Sequence, residues 1–436
     1  MATPLFRHIL LALLICTMRV DADVLIDVVQ RDLNRASGVL VEIDPDSISF
    51  MVDDGTIKTI SHEMIVFVSI NTPRGDATRP SGVLLVKNPS KPPMEIKVID
   101  VDDRSLQFSN ENGIIQTLPF TLIDFISLQV DSMESNPLLS GIRSSGMLHL
   151  VDGRVLTGES RGSTGGFTWR NWWTGLITMT TEEIMTFTGS KMDITIESSV
   201  MDDIVSLSNG DRIVGFIDSI DHENITFEKD DGTILTIPIE NTEQVRLANR
   251  ITPKPGPTLW STLGDRFVVD SILYDVESGF KVDDRPMSAS LIAGMAFENT
   301  EITTLSEFPI VLEETGDTPR FHLPEPKIHH DFTHLDASTI ELKGPVRASW
   351  EFDQADLGLV CTLVVPPSSR RHADMLIRVL GGGEPLASFR MNASNPTADL
   401  AVKVPGTTLS IEILDSGGGP IMDNIHLQGA VLFETQ

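Results

Sequence analysis

The chain is poor in cysteine, in aromatic side chains and in positive charge. Two cysteines in 436 residues cannot make a disulfide framework. Lys and Arg number 33 against 62 Asp and Glu, a formal net charge of −29. A surface this acidic repels phosphate backbones and anionic headgroups, so neither nucleic acid nor a membrane surface is expected as a partner. Long apolar runs are also missing: the longest, residues 9–18, is about half of what a spanning helix needs. No Gly-x-Ser-x-Gly elbow occurs, no Gly-rich phosphate loop precedes a helix, and no two carboxylates stand out as a hydrolytic pair. The expectation is a protein that is not an enzyme and uses no cofactor.

What is present is a composition that folds, with 41% hydrophobic and 22% charged residues. Residues 1–22 read MATPLFRHILLALLICTMRVDA, with Arg7 before the apolar stretch and Val20, Asp21 and Ala22 after it. This pattern is that of a secretory signal peptide and predicts a secreted, periplasmic or cell-surface protein. Cys16 follows Leu-Leu-Ile, but a lipobox requires a small residue where Ile15 stands. Past residue 22 only Cys361 remains, inside the apolar run LVCTLVV, where it is expected to be an inert buried thiol.

A repeat fills the first two thirds of the chain. IDPDSISFMVDDGTIKTI (43–60) and IDHENITFEKDDGTILTI (220–237) coincide at a constant offset of 177 residues. A weaker copy, IDVDDRSLQFSNENGIIQTL (99–118), aligns Phe108 with Phe50 and Gly113 with Gly55. VSLSNGDRIVG (205–215) matches LHLVDGRVLTG (148–158). Apolar residues alternate in short runs between Asn-Gly and Asp-Gly turns, which is strand and hairpin periodicity. The expected fold is all-β: small bent β-barrel repeats at 23–78, 79–136, 137–200 and 201–252, and a partial fifth at 260–314. Gly38, Gly158 and Gly215 fall within strands, where a missing side chain permits a sharp bend. The Leu-x-Asn-Gly-Asp hairpin, the mid-strand Gly and Asp221-x-x-Asn224 resemble the first motif of Sm-like small barrels. That family's Asp-x-x-Asn loop contacts RNA bases. Here the surroundings are acidic, and Asp221 and Asn224 are expected to shape a turn.

Pro-rich stretches at 251–259 and 315–328 mark boundaries. Beyond them, long alternating runs from 325 to 436 predict a β-sandwich of jelly-roll type. LKGPVRASWEFD, DMLIRVLGGGEPLASFRM and the closing stretch from ADLAVKVPG through DSGGG to DNIHLQGAVLFE are similar to the NPCBM-type carbohydrate-binding domain often fused to glycosidases. The resemblance implies polysaccharide binding by the sandwich, with Trp350, Asp423, Asn424 and His426 as the residues expected at the site. A second expectation is a docking patch at Trp169, Trp172 and Trp173, three of only five tryptophans, weighed against filling a barrel or packing on the next unit. HHDFTHLD (329–336) groups His329, His330 and His334 with Asp331 and Asp336 but lacks the spacing of a zinc motif, and no metal is expected. The partners expected are carbohydrate or, in the alternative reading, other envelope proteins reached through open edge strands; the sequence does not specify an oligomeric state.

Overall fold

The computed structural model describes residues 24–71, 81–86, 94–101, 105–110, 115–119, 123–129, 146–161, 167–188, 202–221, 223–229, 231–297, 302–315, 324–329, 338–416 and 423–435. The segment 1–22 read as a signal peptide lies outside them, as do His330, Asp331, His334 and Asp336. The described residues are all-β: antiparallel strands joined by turns and a few single 3-10 turns. None of their helices is long and apolar enough to cross a membrane.

Five units precede residue 300. Unit 1 has strands Leu25–Gln30, Arg35–Ile43, Ser47–Met51, Ile57–Ser61 and Ile65–Asn71; unit 2 has Ser81–Val86, Met94–Val101, Ser105–Asn110, Ile115–Pro119 and Ile123–Gln129. Unit 3 has Gly146–Leu150, Val155–Arg161, Phe167–Asn171, Gly175–Met179 and Ile184–Thr188; unit 4 has Asp203–Leu207, Arg212–Ile220, Asn224–Glu228, Ile234–Pro238 and Thr242–Arg246. In each the fifth strand pairs with the first, and the first, second, third and fourth pair in succession. Among the described residues no pairing joins a fourth strand to its own fifth, so each unit is an open, strongly bent sheet, which corrects the closed barrel expected. Segment 258–296 carries the same plan, with its second strand broken into Arg266–Val268 and Ile272–Asp275.

The matched stretches of units 1 and 4 keep one register: Met51 opposes Ile57 as Glu228 opposes Ile234. Asp44 and Asp221 each accept two backbone N–H groups, from Asp46 and Ser47 at 2.8 and 2.7 Å and from Glu223 and Asn224 at 2.7 Å. These are Asx turns, which short acidic side chains form because their oxygens reach amides two and three residues on. The second strand bends at a register shift, between Leu40 and Glu42, Val98 and Asp100, and Ile217 and Ser219. In units 1 and 4 a β-bulge therefore follows the mid-strand glycine. A Cβ at Gly38, Gly158 or Gly215 would lie 2.0 to 2.4 Å from the carbonyl oxygen of Met51, Arg170 or Glu228 and 2.7 to 2.8 Å from the ring of Phe50, Trp169 or Phe227, so the third strand's backbone and its aromatic side chain keep these positions bare.

Fifth strands pair between units 3 and 4 and between units 5 and 1. Second strands of units 1 and 3 pair with the two pieces of unit 5's second strand. One apolar core runs through units 1, 3, 4 and 5.

The C-terminal domain is a sandwich of two sheets. One orders Lys327–His329, Thr339–Lys343, Asn424–Glu434, Leu357–Val364 and Thr397–Val404; the other orders Val311–Glu313, Val346–Glu351, Thr408–Asp415, Asp374–Gly381 and Glu384–Asn392. The eight long strands follow jelly-roll order, changing sheet at each connection except the hairpin between Asp374–Gly381 and Glu384–Asn392. Thr303–Thr304 pairs with Asn424–Glu434, Val311–Glu313 with Val346–Glu351, and Leu305 is in the sandwich core. Residues 303–313 therefore build the sandwich rather than the fifth unit, to which 260–314 was assigned from sequence. The chain needs them there because they add strands to both sheets and an apolar plug between them.

Candidate functional site

Of the tryptophans expected as a docking patch, Trp169 and Trp172 are not on the surface. Trp169 is 1% exposed and takes the core position that Phe50 and Phe227 hold in units 1 and 4. Trp172 is 4% exposed and donates its indole Nε1 to Asp265 Oδ2 at 2.6 Å. Trp173 is half-buried, its ring 5.8 Å from that of Trp172. Asp265 itself escaped sequence reasoning. It is 1% exposed, and its carboxylate also accepts from Thr157 N–H and Oγ1, Asn171 Nδ2 and Ser261 Oγ at 2.7 to 2.8 Å. Burial pushes this carboxyl above the usual range, against the pull of its donors. The Gly-Asp-Arg signal recurs at 210–212, but Asp211 is exposed; only the packing of unit 5 on unit 3 separates the two fates.

The four residues expected to bind sugar divide in two. On Val346–Glu351 the residues Val346, Ala348 and Trp350 point inward, so Trp350, 1% exposed, is a core residue and not a stacking platform. Asp423 is also 1% exposed, and its carbonyl accepts the Gly344 N–H at 2.7 Å. Asn424 and His426 alternate with buried Ile425 and Leu427, which turns both to the outer face of their sheet.

Strand pairing brings further polar groups to that face. Lys327 opposes Glu341, Glu341 opposes His426, and Lys343 opposes Asn424. Gln428 opposes Thr362, which opposes Asp399. His329 Nε2 lies 3.0 Å from Glu341 Oε2, and Lys343 Nζ 3.5 Å from Oε1. The His329 and His426 rings are 5.9 Å apart. Asn424 Nδ2 donates to Ser369 Oγ at 3.1 Å, tying the turn before Asp374–Gly381 to the same face. Partial burial pushes the Glu341 carboxyl up, but His329, Lys343, His426 and Lys327 together outweigh it and hold the group below the usual range. At its far side the face meets unit 1, where Arg35 pairs with Asp399 at 3.2 Å and donates to the Leu400 carbonyl at 3.1 Å. The arrangement offers charged and neutral donors and acceptors on one face of the sheet. Cys361 lies beneath it, buried, its thiol pushed up to about 12 by burial.

A separate groove of about 410 Å³ lies between units 3 and 5, lined by Asp152, Lys254, Trp260 and Arg266 among others. Its two cations are engaged, Lys254 with Asp270 at 3.1 Å and Arg266 with the Gly153 carbonyl at 2.6 Å.

No known family and no curated protein matches the sequence. Among solved structures the chain is similar to the CBM51-2 and INT domains of Clostridium perfringens ZmpB, at 11% identity over 37% of this chain and 43% of that one, TM-score 0.25. It is similar to a CBM51 from Clostridium perfringens GH95 in complex with methyl-galactose, at 13% identity over 30% and 99%, TM-score 0.25. A third is the CBM36-1 domain of a multidomain xylanase from the hindgut metagenome of Trinervitermes trinervoides, at 10% identity over 32% and 98%, TM-score 0.20. The chain spans less than half the length of the first of these.

Proposed function

We propose that the chain is an exported, non-catalytic carbohydrate-binding protein that meets its ligand on the outer face of the Lys327–Thr397 sheet. The observation that carries this is the convergence of Glu341, Lys343, Asn424, His426 and Gln428 on one side of neighbouring strands. Sugar hydroxyls are matched by carboxylate, amide and imidazole groups set at strand spacing, each able to donate or accept. The resemblance of the closing stretch to the NPCBM-type domain points the same way. A glycan array probed with the full chain tests the reading. Binding should fall roughly tenfold or more in Glu341→Gln, since a hydrogen bond to a charged group contributes about 1.5–3 kcal/mol.

A second reading, association of the repeats, has its own observation. Ile57, Ile115, Leu176 and Ile234 stand at or next to the start of the fourth strands of units 1 to 4 and are 63%, 60%, 62% and 68% exposed. Each sits on a strand that pairs only with its third-strand neighbour among the described residues, leaving an unpaired edge beside an apolar side chain. Silence on the array together with a mass that rises with concentration, and that returns to the monomer value when these four become Lys, would favour it over sugar binding.

A further inference from the structure

Matching the five units through their fifth strands leaves one over. Ile184–Thr188 of unit 3 pairs antiparallel with Thr242–Arg246 of unit 4, and Ile65–Asn71 of unit 1 with Ile292–Ala296 of unit 5. The two junctions share one register: Phe187 opposes Val245 in the first, and Val68 opposes Met295 in the second. These four positions are equivalent. Each also opposes one residue of its own first strand, Leu148, Val205, Val28 or Leu259, which is in every case the next-to-last before that strand's register shift. All four are 3% exposed or less and belong to the common apolar core. A pairing in which equivalent residues face each other has local twofold symmetry, and an edge that builds it is self-complementary. Unit 2 repeats the plan without such a neighbour. Its fifth strand, Ile123–Gln129, sets Ile126 against Leu84, again the next-to-last residue before the shift. Among the described residues that strand pairs with Ser81–Val86 alone and stands at the edge of a five-stranded sheet. Its sequence, IDFISLQ, keeps the Ile, Phe and Ser of IVFVSIN in unit 1, and from Phe125 to Gln129 it holds no charge and no proline to block an added strand. The stretches flanking the unit, 72–80 and 130–145, are rich in Ser, Thr, Pro and Gly and lack the alternation of a strand that would fill the edge from within the chain.

We infer that unit 2 pairs with unit 2 of a second copy of the chain, fifth strand against fifth strand and antiparallel. In the register of the two junctions, Ile126 faces Ile126 of the second copy and Phe125 faces its Ser127. The contact closes on itself as a twofold dimer. It supplies to unit 2 the strand neighbour that units 1, 3, 4 and 5 find within the chain. The inference stands apart from the sugar reading and uses a different edge from the exposed fourth strands, so each of the three is decided separately.

The test is the mass of the full chain in sedimentation across a concentration series, with hydrogen exchange measured at both ends of it. The expected result is a monomer that gives way to a dimer, with every second amide of Ile123–Gln129 slowed at high concentration and released on dilution. In an antiparallel ladder successive residues direct their N–H groups to opposite sides. Of Ile126→Pro and Ser127→Pro, one therefore removes an outward donor, and that variant should keep the parent's circular dichroism while sedimenting at half the dimer's mass. Replacing Ile57, Ile115, Leu176 and Ile234 by Lys should leave the dimer intact. A monomer at every concentration would overturn the inference. So would a dimer in which exchange along Ile123–Gln129 does not change on dilution, one that both proline variants keep, or one that the four lysines disperse. The parent's exchange pattern decides the matter even where a proline variant fails to fold.

Discussion

Asp265 belongs to unit 5, yet four of the five donors around its carboxylate come from unit 3: Thr157 N–H and Oγ1, Asn171 Nδ2 and Trp172 Nε1. An isolated buried carboxylate is costly, and one saturated with donors becomes a specific fastener between surfaces. Asp265→Ala leaves the Trp172 indole and the Thr157 amide without an acceptor at a buried site. A stability loss of roughly 2–5 kcal/mol is expected, read from urea unfolding. Its pH behaviour has a definite sign. Burial raises this carboxyl in the folded chain, so its contribution is largest in acid and is lost as pH rises through the folded value. Asp44, Asp54, Asp231, Asp275 and Asp374 are lowered by hydrogen bonds and pull the opposite way, losing their contribution as pH falls. In Asp265→Asn the urea midpoint should therefore rise more steeply between about pH 4 and pH 7 than in the parent. An unchanged slope would show that Asp265 does not titrate differently in the two states.

At the scale of the strand, two glycines of the same unit have different duties. A Cβ at Gly215 would lie 2.4 Å from the Glu228 carbonyl oxygen and 2.8 Å from the Phe227 ring. Neither a backbone carbonyl nor a core ring yields easily, so Gly215→Ala should cost roughly 1–3 kcal/mol. Gly232 has open space around it and φ of +79° in the hairpin turn, so alanine there meets only backbone strain of about 1 kcal/mol. The order of the two urea midpoints checks the assignment of close approach to one and turn geometry to the other. The same third-strand position explains Trp169: unit 3 fills its core with an indole where units 1 and 4 use phenyl rings.

Across the whole molecule, a third apolar cluster joins Val29, Val66 and Phe67 of unit 1, Trp260, Ala293 and Ala296 of unit 5, and Val360, Val431 and Phe433 of the sandwich. The Arg35–Asp399 pair at 3.2 Å stands at the same junction. A core of this kind joins the repeats to the strand that bears Asn424 and His426, because Val431 and Phe433 lie near the far end of that strand. Phe433→Ala should remove roughly 3–5 kcal/mol at the junction. In calorimetry the sandwich should then unfold in a transition separate from that of the repeats, where the parent shows one; two transitions already in the parent would show that the junction does not couple them.

Much of the architecture was legible in the residues, because strand alternation, Asp-Gly turns and the 177-residue offset are local signals that survive without knowledge of partners. The two hairpins of that offset share register, and the long strands after residue 338 form the expected sandwich. What lay beyond the sequence was every question of which surface a residue ends on after units pack together. Trp350 read as a ligand aromatic, and Trp169 as either a docking residue or a core one, because aromatic area suits a ligand and a core equally; only the neighbouring strands decide between them. The open edge of each unit, the place of 303–313 in the sandwich and the five donors of Asp265 likewise depend on contacts between segments tens to hundreds of residues apart. Asn424 and His426 share one face by alternation alone, which sequence determines. That Lys327, His329, Glu341 and Lys343 join them there follows from pairing three strands in one register, which only the tertiary structure decided.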